Sequence, residues 1–343
     1  MRFLYYIIMA LILMPVSVSA QKYIDEAGRL KVIIIKDPYS DSRSGPEILQ
    51  GPDLLEKGEL KDVLGRSGCE IINVYDVKMP EESEREYGEW NRASITNRAL
   101  GRIISSNNQD EIFIIGLLSG SKSLTGMLAG LQHIGPGRSP LKDSRGKDII
   151  GLPRLGEGKP LKVGLVWIDS KGAFNTPDIT IEGDMDGMNV AVAAGLCNTT
   201  LRLQSGLDPP LSTKYIVMAG VHDTNPYEQL NIDNSFIEIL NVEDIRKISD
   251  NVDIQMERLS LITDIIYVHV DLSVINPEEI PGHPEAVAGG PTSEELAAFL
   301  EALFKYKKTA AFGVAALHDD AEEVSIKVAY RLIEGVIKGL KSR

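Results

Sequence analysis

Short apolar runs rich in β-branched residues recur along the chain, each separated from the next by a stretch with helical spacing. Residues 30–35 (LKVIII), 70–75, 111–118 (EIFIIGLL), 163–168, 215–221, 265–270 (IIYVHV) and 309–317 read as strands. Where successive positions are apolar, rather than alternate ones, a strand is buried on both faces, as in a parallel sheet. Between them the spacing predicts helices over 51–63, 91–106, 123–131, 188–196, 242–251, 252–263, 292–305 and 321–340. Pro52 near the start of the first and the pair Thr292 and Glu295 at the start of another are helix-opening signals. Strands and helices alternate with no internal repeat, which predicts an α/β fold: one three-layer α/β/α domain built on a largely parallel, doubly wound sheet.

Three of the runs open into short polar loops. The run at 163–168 leads into Asp169, Lys171 and Asn175, that at 265–270 into Asp271, Ser273 and Asn276, and that at 111–118 into Ser119, Gly120, Ser121, Lys122 and Ser123. Side chains just past the carboxyl ends of parallel strands line the ligand crevice, so Asp169, Lys171 and Asn175 are candidate site residues. Any one such loop could equally be a solvated turn, since Asp, Ser, Gly and Asn are turn formers. Three together predict a shared crevice.

Composition narrows the partners. A net charge of −13 over 343 residues would be repelled by nucleic acid or an anionic membrane, and tolerates cationic ligands better. Residues 1–20 carry a basic start at Arg2, an apolar run over 3–14, Pro15 and a Val18-Ser19-Ala20 cleavage-like site. They read as a signal peptide, leaving residues 21–343 as a secreted or periplasmic domain with no membrane contact beyond the export signal. An uncleaved anchor is the alternative, although the run is shorter than the roughly 20 residues a spanning helix needs. Cys69 and Cys197 could pair after export, but their places before a strand and at the end of a helix favour two separate buried thiols. Residues 81–87 read as a solvated charge run, and 135–160, rich in Gly, Pro, Lys and Arg, as a surface insertion.

Five motifs in fixed order carry a resemblance. Gly51-Pro52-Asp53-Leu54-Leu55 with Gly58-Glu59-Leu60, the run DSKGAFNTP over 169–177, His222-Asp223-Thr224-Asn225-Pro226, the run HVDLSVINP over 269–277, and Gly289-Gly290-Pro291-Thr292 with Glu295 together resemble the ureohydrolase family, the arginases and agmatinases. The resemblance covers most of the chain beyond residue 20. It implies an arginase-like fold, hydrolysis of guanidinium groups through two manganese ions at the strand ends, and assembly as a homo-oligomer. It marks Asn175 and Asp223 as substrate-binding positions, Asn225 as standing where the family has an aspartate, Glu295 as a grip on the guanidinium, and Asp186 as the position of a proton-shuttling histidine.

Of six manganese-ligand positions that the resemblance marks, only Asp169 and Asp271 keep a ligand. The others hold Lys122, Lys171, Ala173 and Ser273. A charged lysine has no lone pair for a metal and repels one at close range. The expectation is therefore a degenerate site of Lys122, Asp169, Lys171, Asp186 and Asp271 in which the two ammonium groups take the place of the metals and neutralise the two aspartates. No cofactor is expected, and the function predicted is a binding or scaffold role for a small cationic guanidino or amino ligand. The alternative is a hydrolase with altered chemistry, in which one lysine beside another has its pKa lowered enough to serve as base or nucleophile. A replacement metal site from Asp184, His222, Asp223 and His269 is a further alternative, with a spacing that matches no usual ligand pattern.

Overall fold

The structure is a computed structural model that describes residues 23–25, 27–40, 47–83, 86, 88–108, 111–133 and 159–343. The predicted signal at 1–20 and nearly all of the predicted insertion at 135–160 lie outside the described residues. Eight parallel strands form one sheet: β1 (Leu30–Asp37), β2 (Cys69–Asp76), β3 (Phe113–Leu118), β4 (Val163–Ile168), β5 (Ile216–Ala219), β6 (Glu238–Leu240), β7 (Ile265–Asp271) and β8 (Thr309–Ala315). Their spatial order is β2-β1-β3-β8-β7-β4-β5-β6.

Side-chain alternation divides the core in two. On β1, Val32 and Ile34 enter one apolar layer and Ile33 and Ile35 the other; on β4, Val166 and Ile168 oppose Val163, Leu165 and Trp167. The first layer is closed by α1 (Gly51–Lys57), α2 (Leu60–Arg66), α8 (Val242–Lys247), α9 (Asp250–Ile262), α10 (Ser293–Phe304) and α11 (Glu323–Lys341). The second is closed by α3 (Glu89–Asn107), α4 (Leu124–Leu131), α5 (Asn189–Ala193) and α7 (Pro226–Asp233), with α6 (Thr199–Ser205) packed outside them. This is the three-layer, doubly wound arrangement that the alternation of elements predicts.

Most predicted elements are present within a few residues. The single helix predicted over 51–63 is instead two, α1 and α2, broken at Gly58. A side chain at Gly58 would collide with the Tyr330 hydroxyl, which occupies the break and bonds Glu59 N at 3.0 Å and Leu55 O at 2.9 Å. The break is a long-range contact with α11 that local spacing does not carry. Cys69 and Cys197 are free and separate, and burial pushes both thiols up to about 11. Among the described residues no helix is long and apolar enough to cross a membrane.

Candidate functional site

Four neighbouring strands, β3, β8, β7 and β4, end level with one another. Ile168 pairs with Val270, Asp271 with Ala315 and Leu118 with Ala315. The residues that follow therefore meet at one edge, which is where a parallel sheet places its crevice. The inner part is a pocket of about 100 Å³ lined by Ser121, Asp169, Lys171, Asp186, Asp271, Glu285 and His318, among others. The outer part, about 200 Å³, is lined by Lys171, Asn175, Glu182, Asp223, Asn225 and Glu228 with their neighbours. Lys171 belongs to both.

Asp169 and Asp271 are buried, 5% and 4% exposed, and hydroxyl groups hold them. Ser121 Oγ donates to Asp271 Oδ2 at 2.8 Å, and Ser273 N donates to Asp271 Oδ1 at 3.0 Å. Ser273 Oγ donates to Asp169 Oδ1 at 2.8 Å, joined by Lys171 N at 3.1 Å. Ser170 Oγ stands 3.2 Å from Ser273 Oγ. Burial first, and then the charge of Asp271, push the Asp169 carboxyl well above the ordinary carboxylate range.

Behind Ser121 the network continues inward. Ser121 Oγ lies 3.1 Å from His269 Nε2, and His269 Nδ1 lies 2.9 Å from the Tyr267 hydroxyl. His269 is fully buried and stacked on Trp167 with ring centroids 4.6 Å apart. The buried Tyr267 hydroxyl has no other hydrogen-bond partner among the described residues, so it donates to Nδ1. Nε2 then carries the imidazole proton and donates to Ser121, which passes its own proton toward Asp271. Burial lowers the His269 pKa to about 4 against a smaller raising effect of Asp271, so the ring is neutral. In this direction of donation His269 cannot draw a proton from Ser121, and the serine is a clamp on Asp271 rather than a nucleophile.

The lysines do not do what the sequence predicts. Lys122 Nζ stands 3.2 Å from Glu89 and 3.5 Å from Asp186, and Lys171 Nζ stands 3.7 Å from Glu285. Among the described residues neither forms an ion pair with Asp169 or Asp271. The serine hydroxyls already satisfy those acids, and the ammonium groups meet other carboxylates, the sheltered Glu89 and the half-exposed Asp186 and Glu285. The lysines stay sheltered, their side chains 11% and 29% exposed. Burial alone would lower the Lys122 pKa, but Asp186 and Glu89 outweigh it and hold it above the usual value. For Lys171, burial is likewise outweighed by Glu285, Glu182 and Asp169. These carboxylates favour the charged form of both lysines.

The outer pocket is tied together by side-chain amides. Asn175 Oδ1 accepts from Asn225 Nδ2 at 2.7 Å, and Asn225 Oδ1 caps α7 by accepting from Tyr227 N and Glu228 N at 3.0 Å each. Glu228 Oε1 accepts from Phe174 N at 2.8 Å. Asp223 lines this pocket. Glu295 does not line either part of the crevice: its carboxylate closes the capping box of α10 with Thr292 and lies 3.6 Å from Arg246, so the expected grip on a guanidinium is replaced by a helix cap.

The residues present do not fit a manganese pair. Among the described residues no three His, Cys, Asp or Glu side chains stand close enough to hold a metal, and the two surviving acids are engaged by serines. The alternative set fails too, since His269 is buried and His222 Nδ1 turns to Gly220 O at 2.6 Å. Glu89, Glu228, Glu285 and His318 are site residues that local pattern does not single out. Glu89 and Glu228 fall in helix first turns, where acids are common for dipole reasons alone, and Glu285 and His318 sit in loops without periodicity.

A parallel eight-stranded sheet between two helical layers, with buried acids at its central strand ends, defines a protein of the three-layer α/β/α class. The sequence profile of the Arginase family matches residues 153–337, and the chain belongs to that family. It is 28% identical over 301 residues to an arginase of Entamoeba histolytica, covering 86% of this chain and 92% of that protein. The crystal structure of Entamoeba histolytica arginase in complex with L-ornithine superposes with a TM-score of 0.72 at 20% identity, over 92% of this chain and 99% of that one. The arginase of Bacillus subtilis gives 0.71 at 18% identity over 90% and 98%.

Proposed function

We propose that this chain is an exported arginase-fold protein that does not hydrolyse guanidines and instead binds a small cationic amino or guanidino ligand in its crevice. The observation that carries the reading is the donor set around Asp169 and Asp271, in which Ser121 and Ser273 hold the acids and charged lysines occupy two of the ligand positions. Hydrolysis in the manner of the family needs a metal to make hydroxide at neutral pH, and this donor set offers a metal two carboxylates. A cationic ligand is supported by the inner pocket, where Asp169, Asp186, Asp271 and Glu285 face Lys171, and by the ornithine complex of the Entamoeba relative. Residues 1–20 support export, and family membership supports a homo-oligomer.

Elemental analysis and a urea-release assay with arginine and agmatine on one purified sample test the proposal. The expected result is metal well below one ion per chain and no urea. Tight, stoichiometric manganese or sustained urea release would overturn it. A thermal-shift series with arginine, ornithine and agmatine tests the binding half, because a ligand selective for the folded state raises its melting temperature; no rise with any of them sinks it.

A further inference from the structure

A separate hollow, of about 130 Å³, lies between the loop that follows β7 and the start of α11. Among the described residues, His318 is the one it shares with the inner pocket of the crevice. Leu272, Ile280 and Leu317 give it an apolar wall, and Ser325, His318, Asp320 and Glu322 a polar one. Ser325 sits in the first turn of α11 and is 5% exposed. Its hydroxyl makes no hydrogen bond among the described residues, yet it is not sealed among core atoms, so it opens on the hollow. A hydroxyl so deeply placed and without a partner is rare in a folded protein.

His318 is in the same state, with no hydrogen bond to either ring nitrogen among the described residues. Its ring is held edge to face against His283, with centroids 4.8 Å apart and planes at 87°. His283 is itself engaged at both nitrogens, Nε2 donating to Ala316 O at 2.9 Å and Nδ1 accepting from Glu285 N at 3.3 Å, so it props His318 and has nothing left to offer a ligand. Asp320 and Glu322 are exposed and form no ion pair among the described residues. Two carboxylates, a hydroxyl and the lone pair of a neutral imidazole are all acceptors, and an alkylammonium group has three N–H donors and no acceptor of its own. The positive end of the α11 dipole, about half a unit charge, opposes a cation here, and the two carboxylates outweigh it.

We propose that this hollow binds the primary ammonium group of a small alkylamine, with Ser325, His318, Asp320 and Glu322 as acceptors and the alkyl chain resting on Leu272, Ile280 and Leu317. The test is calorimetry and thermal shift at constant ionic strength, with n-butylammonium and tetramethylammonium as probes, on the full chain and on S325A, D320N/E322Q and D186N. Saturable binding of n-butylammonium is expected, with no counterpart for tetramethylammonium, which has no N–H to donate. S325A and D320N/E322Q should each weaken it about threefold or more, the scale of one modest hydrogen bond or exposed ion pair. D186N, which alters the crevice instead, should leave it in place. The Ser325, Asp320 and Glu322 side chains hold no other group among the described residues, so their variants should fold as the parent does. No saturable binding, equal binding of tetramethylammonium, or binding unchanged in S325A or in D320N/E322Q would overturn the proposal. Binding lost in D186N alone would also overturn it, while supporting the cationic ligand proposed for the crevice.

Discussion

Ser273 holds both acids of the crevice at once, Asp271 through its backbone N–H and Asp169 through its hydroxyl. Removing the hydroxyl leaves a buried carboxyl short of a donor, so S273A should lose about 1–3 kcal/mol of stability in urea denaturation; a loss within error would show that the hydroxyl is not holding Asp169. Glu228 makes a different case, because its cost depends on pH. Burial raises its carboxyl above the ordinary value, against the pull of Phe174 N and Asn175. In the unfolded chain the group ionises first, near the ordinary glutamate value of 4.5, while the folded protein still holds the proton. Stability is therefore lost as pH rises from there through the folded pKa. E228Q keeps an oxygen to accept from Phe174 N and cannot ionise, so its melting temperature relative to the parent should improve between pH 4 and pH 7. A constant difference across that range would remove this account of Glu228.

At the scale of elements, the clearest departure from local pattern is the break between α1 and α2. The spacing of Leu54, Leu55, Leu60 and Val63 suits one helix, but the Tyr330 hydroxyl from α11 needs the space that a side chain at Gly58 would fill. G58A should therefore cost about 1–3 kcal/mol by overpacking and by displacing the hydroxyl from Glu59 N and Leu55 O; calorimetric unfolding reads this, and the companion Y330F should make the site more tolerant of the added methyl. Elements that the spacing did not reveal are short or exposed. β6 has three residues on the sheet edge, two of them exposed, and α7 buries only Glu228 and Ile232. Neither has enough apolar positions to establish a period. The opening of α10 was legible, since Thr292 and Glu295 form the capping box their spacing indicates; the same geometry takes Glu295 away from the crevice.

For the whole molecule, sheet order decides what meets. Positions 121, 169 and 271 are far apart in the chain, and only the adjacency of β3, β8, β7 and β4 brings their loops to one edge. Hydrogen bonds across that edge then brace the sheet where the family's metals would. It follows from the proposed function that stripping metal with a chelator leaves the melting temperature of the protein unchanged, whereas a marked fall would reveal a structural ion.

The sequence by itself determined the alternation of strands and helices, the largely parallel sheet and the placing of Asp169 and Asp271 just past the ends of strands, because each follows from local apolar spacing and from the rule that crevices open at carboxyl ends. Residue type alone also excludes a charged Lys122, a charged Lys171 and Ala173 as metal donors. Where the lysines point was decided only by tertiary structure. A lysine side chain turns about four bonds, and its direction is set by whichever carboxylates other segments bring within reach: Glu89 from α3, Asp186 from the turn before α5, and Glu285 from the loop after β7. The serines reached the buried acids because their short side chains sit on the strand-end loops themselves, a pairing across about 150 residues of chain for Ser121 and Asp271 that no local pattern encodes.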